Sequence, residues 1–405
     1  MKVAYVTVRY GASVMGGAEQ ACRQLAEHLA ADGVTVSVHT TCALDATTWA
    51  DTLAPGTTVE GAVTVHRHRS ESGRASRFDA ESREILADPG AQPPARQERW
   101  IRAQGPVCPA AVESALAEDA DLVIATPYLY WPTIELARRS PPGRLVLHPA
   151  AHDEAPIRLP LFAEVFGASA GLAFYTESER RLVEELFPAL VSRPQLVVGL
   201  GVDPVNRTDA AAFRAASAIG DRPYLLCLGR VDEGKGTALL ARFFAAYKRR
   251  RPGPLALVFA GPVAQPIAAH PDIVVTGPVS DEVKWSALAG TRALVSPSVN
   301  ESFGIVVFEA WASGRPVVVN ARCGATAEHT RRSRGGLTFS GYGSFEAAVD
   351  RLVSDPDTAL AMGDSGRAYA EQVFAWPVVT ARYRGWLERL VSAGSRTRSG
   401  TLERP

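Results

Sequence analysis

The 405-residue sequence has few of the features that would assign it to a specialised class of protein. Its five cysteines are scattered and form no C-x-x-C pair, which argues against a zinc site or a disulfide framework. Lysine plus arginine equal aspartate plus glutamate at 43 each, so the chain lacks the basic excess of a general nucleic-acid-binding protein. Scattered thiols of this kind are typical of reducing compartments, and we therefore expect a cytoplasmic location.

Long apolar runs are absent as well. No stretch approaches the roughly 18 uninterrupted apolar residues that a membrane-spanning helix needs. The N-terminal residues MKVAYVTVRY have a strand pattern rather than that of a signal peptide. We expect no transmembrane segment, while contact with a membrane surface and the oligomeric state stay open.

Strand-like and helix-like segments alternate along most of the chain. A first series ends near residue 198, and a second begins with a strand over 224–228 and a helix over 237–249. Because parallel strands need crossover connections, this alternation predicts an α/β fold with two doubly wound, Rossmann-like domains, residues 1–198 and 199–375. Ligands of such folds lie beyond the carboxyl ends of the strands, and two domains facing each other would place them in a cleft.

The segment GRVDEGKG, residues 229–236, follows the strand over 224–228 and opens a helix. It matches the nucleotide-triphosphatase loop except that Gly236 stands where a hydroxyl must bind Mg²⁺. Arg230 and Lys235 remain, and they suit a diphosphate because a guanidinium can contact two phosphate oxygens and an ammonium adds a point charge. The alternative is two cations on a solvated turn.

The segment NESFGIVVFEAWASGRP, residues 300–316, has one acid before a helix predicted over 303–313 and another about two turns into it. These acids are Glu301 and Glu309. The first backbone N–H groups of a helix are unpaired and carry the positive end of its dipole, which suits phosphate binding. These groups belong to Phe303, Gly304 and Ile305. The alternative is a buried helix with two solvated acids.

Together, the segments LGRVDEGKG and PSVNESFGIVVFEAWASGRPVVV resemble the donor site of the retaining glycosyltransferases of family 4. These are GT-B enzymes, in which two Rossmann-like domains face each other across a cleft and a nucleotide diphosphate sugar is the donor. The resemblance implies that Arg230 and Lys235 contact the diphosphate, that Glu301 holds the hexose and that Glu309 holds the ribose. It also implies diphosphate contacts from the backbone of Phe303, Gly304 and Ile305.

The resemblance extends to other parts of the chain. The loop YGASVMGGAEQ places Gly16 and Gly17 where the family has a loop that faces the donor phosphates. The first domain is expected to bind the acceptor and the second to bind the nucleotide sugar. Residues 376–395 are similar to the last GT-B helix, which crosses back to the first domain, and residues 396–405 are predicted to be a disordered tail.

The segment LVLHPAAHDEAP contains two histidines after a predicted strand. Pro149 argues against one helix carrying both as metal ligands, and no third ligand follows. Neither D-x-D string, at 119–121 or 355–357, follows a strand, so we expect no metal. The resemblance implies that one histidine contacts the sugar and diphosphate; His152 is the better match, and His148 is the reserve.

The segment TPYLYWPT places three aromatic residues at the carboxyl end of a strand, where they could stack on an acceptor or fill the core. These residues are Tyr128, Tyr130 and Trp131, and we name them with His148 as candidate acceptor-binding residues.

The resemblance, together with the residues described above, implies a retaining, metal-independent hexosyltransferase that needs no cofactor. The donor would be a UDP- or GDP-sugar. The acceptor would be a small molecule or saccharide of bacterial polysaccharide, glycolipid or specialised-metabolite biosynthesis. The predicted catalytic residues are His152, Arg230, Lys235 and Glu301. Alternatives are a sugar-nucleotide epimerase or phosphorylase on the same scaffold, and a non-catalytic binder of nucleotide sugars.

Overall fold

The computed structural model divides into two α/β units. One comprises Met1–Gly201 and Trp376–Pro405, and the other comprises Val202–Ala375. The boundary between them falls three residues after the one proposed from the sequence. The structure describes residues 1–14, 16–203 and 209–400, the last six by their backbone alone.

The first unit is built on a sheet whose strands are β1 (Lys2–Val6), β2 (Thr35–Thr41), β3 (Gly56–Glu60), β4 (Val63–His68), β5 (Leu122–Ala125), β6 (Leu145–Leu147), β7 (Gly171–Phe174) and β8 (Gln195–Val197). Among the described residues they form eight strands in the order β3-β4-β2-β1-β5-β6-β7-β8. Only the edge strand β3 is antiparallel to its neighbour within this set. The central strands are buried throughout, as expected of a parallel sheet covered on both faces.

The helices of the first unit up to residue 200 are α1 (Gly17–Ala31), α2 (Phe78–Ile85), α3 (Pro94–Gln104), α4 (Pro109–Ala117), α5 (Trp131–Arg139), α6 (Leu161–Gly167) and α7 (Glu177–Leu186). The charged stretch over 70–99 holds α2 and half of α3. The rings of Phe78 and Trp100 pack at 5.6 Å and attach both helices to the core.

The second unit contains strands β9 (Tyr224–Leu228), β10 (Ala256–Ala260), β11 (Ile273–Gly277), β12 (Ala293–Ser296), β13 (Val317–Asn320) and β14 (Gly336–Phe339). In the described part of this unit they form a parallel sheet in the order β11-β10-β9-β12-β13-β14. The strand order reverses between the neighbours β9 and β12. In a doubly wound sheet the ligand crevice opens at such a point, beyond the carboxyl ends of the two strands.

The helices of the second unit are α8 (Ala211–Ala216), α9 (Thr237–Arg250), α10 (Asp281–Gly290), α11 (Ile305–Ala312), α12 (Gly324–Ser333), α13 (Tyr342–Ser354) and α14 (Pro356–Phe374). Helix α9 follows β9 and α11 follows β12. The two motifs that the sequence singled out therefore form the connections at the reversal point. The prediction of two Rossmann-like, parallel-sheet domains is confirmed.

The last helix, α15 (Trp376–Gly400), belongs to the first unit. Residues 396–400, which the sequence assigned to a disordered tail, continue α15 as its last residues. Residues 401–405 lie outside the described part of the chain. No helix in the described ranges has the length and apolar character needed to cross a bilayer. All five cysteines are buried and free.

Candidate active site

Asp232 organises the loop that joins β9 to α9. Its Oδ1 accepts the backbone N–H of Lys235 at 2.8 Å, and its Oδ2 accepts Nε of Arg230. Its backbone carbonyl accepts the Thr237 hydroxyl at 2.9 Å. An aspartate at such a turn stabilises it locally because its carboxylate bonds nearby backbone N–H groups. Sequence reasoning missed Asp232, although the D-x-x-K spacing was a usable signal.

Gly236 ends the same loop and brings it against the loop after β12. Its φ is +70°, and a Cβ built there would lie 3.0 Å from the carbonyl oxygen of Pro297. The amide of Asn320 donates to that carbonyl oxygen at 3.0 Å from the end of β13. A serine or threonine would be strained at position 236, so this loop favours glycine where a Mg²⁺-binding loop has its hydroxyl.

Lys235 and Glu301 connect the two motifs directly. The Lys235 Nζ lies 2.6 Å from Oε1 of Glu301. Both side chains remain partly accessible, at 36% and 18% exposure. Arg230, at 64% exposure, reaches into solvent from the same loop. Two cations and a carboxylate are therefore available together at the carboxyl ends of β9 and β12.

Glu309 is also paired with a lysine. Its Oε1 lies 2.9 Å from the Nζ of Lys284 in α10. Although burial lowers the pKa of Lys284, the carboxylates of Glu309 and Asp281 outweigh that effect, so the pKa lies above its usual range. The Lys284 ammonium also lies 4.8 Å from the ring centroid of Trp285, within the range of a cation–π contact. Lys284 was not recognised from the sequence, because α10 showed no motif.

The start of α11 differs from the sequence-based expectation. The helix begins at Ile305 rather than Phe303, because Gly304 is the N-cap residue in the left-handed region, with φ +87° and ψ +53°. The first helical N–H groups are therefore those of Ile305, Val306 and Val307. A Cβ on Gly304 would lie 2.5 Å from Cγ2 of Thr326, so the position has no room for a side chain.

The side chain of Phe303 faces the interior of the second unit. Only 4% of the residue is exposed, and its ring stacks on Phe308 at 4.4 Å with edge contacts to His329 and Phe374. Any contact of this residue with a phosphate must therefore use the backbone, as the resemblance implied. The aromatic cluster fixes the loop from which that backbone would bind.

In the first unit, a buried ion pair lies beneath the glycine-rich loop. Nε of Arg9 donates to Glu19 Oε1 at 3.0 Å, and an Arg9 terminal nitrogen donates to the Leu44 carbonyl oxygen at 2.8 Å. A Cβ on Gly16 would clash with the Glu19 carboxylate. Gly16 is thus required by packing, whereas Gly17 faces open space. A buried pair of this kind is costly to break, because removing one partner leaves an uncompensated charge.

Three of the four candidate acceptor-binding residues are buried in the first unit, and core packing accounts for their side chains. Tyr128 packs between the rings of Phe162 and Phe166 at 1% exposure. Trp131, at 3%, belongs to the same apolar core. His148, at 1%, lies between two tyrosine rings, and burial lowers its pKa to about 3. Tertiary packing of α6 and α15 buries these side chains, and a single strand pattern does not reveal it.

Tyr130 is the candidate that is only partly buried. Its ring makes an edge contact with Trp49 at 5.2 Å, and burial raises its pKa to about 12. Arg74 lies over the same indole at 5.8 Å and over Phe78 at 4.8 Å. Within the described residues, Arg74 has no carboxylate partner and its Nε is buried without an acceptor. An arginine held by aromatic rings and left without a counter-ion is suited to bind an anion.

His152 lies half-buried in the loop after β6. The backbone of this loop is held by Glu179, whose Oε1 accepts the Ala151 N–H at 2.8 Å. Burial raises the pKa of Glu179 to about 8, although the backbone N–H groups around the carboxylate oppose that rise. Ala150 adopts φ +54°, a conformation that is uncommon for alanine. Neither Glu179 nor the strained turn was expected from the sequence.

His39, His66 and Glu118 come close enough in the first unit to suggest a metal centre. His39 Nε2 already lies at hydrogen-bond distance, 2.7 Å, from Glu118 Oε2. The two imidazole rings stack at 4.8 Å with only 19° between their planes. A ligated ion must lie close to the plane of each ring, and two nearly parallel planes at this spacing do not share such a point. We therefore assign this cluster a packing role.

Comparison with known proteins adds evidence of common descent. Residues 222–355 match the family model described as glycosyl transferases group 1. The chain is 28% identical over 270 residues to the GDP-mannose-dependent alpha-(1-6)-phosphatidylinositol monomannoside mannosyltransferase of Mycolicibacterium smegmatis, an alignment that covers 61% of this chain and 70% of that protein. It is 31% identical over 243 residues to the D-inositol 3-phosphate glycosyltransferase of Kineococcus radiotolerans, covering 53% and 55%. The chain spans about half the length of several other relatives.

Solved structures share the fold at low sequence identity. Sucrose-phosphate synthase from Thermosynechococcus elongatus superposes with a TM-score of 0.71 at 17% identity, covering 97% of this chain and 99% of that one. Anabaena Alr3699/HepE, solved in complex with UDP and glucose, gives a TM-score of 0.66 at 14% identity, covering 96% and 100%. At these identities the comparison concerns the fold alone.

Proposed function

From the match of residues 222–355 to the glycosyl transferases group 1 family, we propose that the chain is a member of this family and transfers a hexosyl unit from a nucleotide diphosphate sugar to an acceptor. The observation that carries the proposal is the ion pair between Lys235 and Glu301. It joins the loop suited to a diphosphate and the loop suited to a sugar, at the reversal point of the second unit's sheet. Neither loop alone distinguishes a binding site from a solvated surface.

We assign the donor's parts to the second unit as follows. Arg230 and Lys235 contact the diphosphate, together with the first backbone N–H groups of α11, those of Ile305 and Val306. Glu301 accepts hydrogen bonds from the hexose hydroxyls, and Glu309 accepts them from the ribose diol. This assignment uses each group according to its chemistry, because carboxylates accept from hydroxyls while cations and helix N-termini bind phosphate.

The proposed reaction proceeds with retention of anomeric configuration and needs no metal or cofactor. The acceptor oxygen forms a bond to the anomeric carbon on the face from which the diphosphate leaves, as the bond from that carbon to the diphosphate oxygen breaks. The acceptor's hydroxyl proton passes to the departing diphosphate. Arg230, Lys235 and the α11 dipole stabilise the developing negative charge, and His152 contacts the sugar near the reacting carbon.

We further propose that the acceptor binds the first unit and carries an anionic group, such as a phosphate ester. Two observations support this assignment. Arg74 is an arginine without a described counter-ion, and the indole of Trp49 that it contacts also contacts the partly buried ring of Tyr130. The names of the relatives from Mycolicibacterium smegmatis and Kineococcus radiotolerans both contain a phosphate-bearing inositol compound.

The free thiols of all five cysteines agree with a cytoplasmic setting.

A ligand screen followed by a transfer assay tests the function. The melting temperature is measured with UDP-glucose, UDP-galactose, UDP-N-acetylglucosamine, GDP-mannose and GDP-glucose, because a ligand that binds only the folded state raises it. We expect one nucleotide class to stabilise the wild type and not the Lys235→Ala variant. Proton NMR of the product then reports the anomeric configuration. Stabilisation by none of the five sugars would contradict the proposal, and an inverted product would contradict the mechanism.

A further inference from the structure

Glu179 is a buried carboxylate that the proposed reaction does not use. It lies in the first turn of α7, where Oγ1 of the N-cap residue Thr176 accepts the Glu179 N–H at 3.1 Å. The carboxylate in turn faces the backbone N–H of Thr176. This reciprocal arrangement is the capping box S/T-x-x-E, and it alone would explain a glutamate at this position.

The remaining contacts of Glu179 do not serve the helix. Oε2 accepts the N–H of Tyr175 at 2.7 Å, and Oε1 accepts the N–H of Ala151 at 2.8 Å. Ala151 follows β6 and Tyr175 follows β7, so one side chain connects the loops after two neighbouring strands. The N–H of Ala150 also faces the carboxylate. A capping box requires none of the contacts to the β6 loop.

The loop that Glu179 holds has an unfavourable backbone conformation. Ala150 has φ +54°, in the left-handed region that an alanine rarely adopts. Conformations of this kind persist only where the surroundings enforce them, and they are concentrated at functional sites. Two residues later the chain reaches His152, so the turn at Ala150 sets the direction from which that imidazole projects.

We infer that Glu179 is a positioning residue for His152: its carboxylate fixes the turn at 150–151 and thereby the placement of the imidazole. This inference rests on the role proposed for His152. A carboxylate acting through backbone N–H groups does not touch the substrate. Its loss should therefore misplace a catalytic side chain without removing any group that binds the donor.

A double-mutant cycle with a matched control tests the inference. The variants are Glu179→Gln, which is nearly isosteric, His152→Ala and the combination of the two. Thr176→Ala is the control, because it removes the side-chain cap of α7 and leaves the bond between Glu179 and Ala151 in place. The kcat for transfer and the melting temperature are measured for all of them. Glu179→Asp, which keeps the charge but shortens the side chain, replaces Glu179→Gln if that variant does not fold.

We expect Thr176→Ala to lower the melting temperature and to change kcat by no more than about twofold. Glu179→Gln should lower kcat by about 10- to 100-fold, the size of effect that a displacement of about 1 Å has on a catalytic group. In the His152→Ala variant, adding Glu179→Gln should lower kcat by no more than about twofold, because the two residues act as one unit.

Three outcomes would overturn the positioning role. They are a kcat for Glu179→Gln that matches the Thr176→Ala control, an equal fall in kcat on Glu179→Gln in the wild type and in His152→Ala, or full activity of His152→Ala. All three presuppose a wild type that transfers sugar. A wild type that binds no nucleotide sugar and transfers nothing would instead contradict the proposed function, so the two failures are distinguishable.

Discussion

Lys235 and Glu301 lie 66 residues apart in the sequence, yet their charged atoms meet at 2.6 Å. Each comes from a loop that leaves a central strand of the second unit, and Gly236 keeps those loops in contact. In the unliganded protein the lysine neutralises the acid. A diphosphate would compete for the ammonium and leave the carboxylate free to accept hydrogen bonds from hydroxyl groups.

Removal of the Lys235 charge should affect activity far more than stability. A partly exposed ion pair contributes only about 0–1 kcal/mol to folding, whereas one electrostatic contact to a developing charge is worth about 10²- to 10³-fold in kcat. We therefore expect Lys235→Ala to lower kcat by that factor with a melting temperature within a few degrees of the wild type. Arg250→Ala removes an exposed cation at the far end of α9 and is the control. Equal kcat values for the two variants would refute the assignment of Lys235.

Much of this site could be predicted because its motifs are local. The strand 224–228 is a short apolar run bounded by turn residues, and the structure has it at the predicted position. Since parallel strands align their carboxyl ends, the loops after β9 and β12 had to be neighbours once these two strands were paired. The helix start was two residues off because Gly304 is left-handed and caps the helix, and a backbone angle of this kind cannot be read from an apolar pattern.

The parts that could not be predicted depend on tertiary contacts. Strand β3 is exposed along most of its length, so it has none of the apolar pattern of a buried strand. In the sequence, Tyr128 and Trp131 look the same as aromatic residues that stack on a ligand ring. Only the packing of α6 shows that they are core residues. In the sequence, Glu179 shows only the T-x-x-E pattern of a helix-capping glutamate. Its hydrogen bond from the Ala151 N–H forms only in the folded unit, where β6 and β7 are paired and the loops after them are neighbours.

Gly304 should be sensitive to a single added methyl group. At φ +87° an alanine is strained, which costs about 1–2 kcal/mol, and the added Cβ meets the Thr326 methyl group at 2.5 Å. We expect Gly304→Ala to lower the free energy of unfolding and to weaken nucleotide-sugar binding, measured by urea titration and calorimetry.

Gly343→Ala is the matched control for this substitution, since no atom lies within 4 Å of its built Cβ and the residue lies in α13. Alanine is the better helix former, so the control should be neutral or slightly stabilising. Adding Thr326→Ser to Gly304→Ala removes the methyl contact but not the backbone strain, and it should restore only part of the loss. Wild-type stability and binding in Gly304→Ala would show that the backbone there is not constrained.

His148 should make folding sensitive to acid. Burial lowers its folded-state pKa to about 3, below the value of about 6.5 expected in the unfolded chain. Between these values the unfolded state binds more protons, so stability is present above pH 6.5 and is lost as the pH falls. The maximum slope for one such histidine is about 1.4 kcal/mol per pH unit.

The replacement His148→Phe tests this expectation, because a phenyl ring suits a site between Tyr175 and Tyr383 and does not titrate. We expect the free energy of unfolding of the variant, from urea titrations between pH 7.0 and 5.0, to fall less steeply than that of the wild type. Parallel curves for the two proteins would mean that His148 is not the source of the acid sensitivity.

Arg74 should decide whether an anionic acceptor binds. Inositol 3-phosphate and inositol form a matched pair of probes that differ by one phosphate, and we expect only the phosphorylated probe to bind the wild type in calorimetry with a donor present. Arg74→Ala removes the cation and should weaken that binding by at least about tenfold, because a charged hydrogen bond is lost. Arg74→Lys keeps the charge without the planar fork and should give an intermediate value.

Arg77→Ala is the control, because it removes an exposed arginine three residues away, at the start of α2, and should bind like the wild type. Equal binding of the two probes, or of Arg74→Ala and Arg77→Ala, would exclude Arg74 as the anion-binding group.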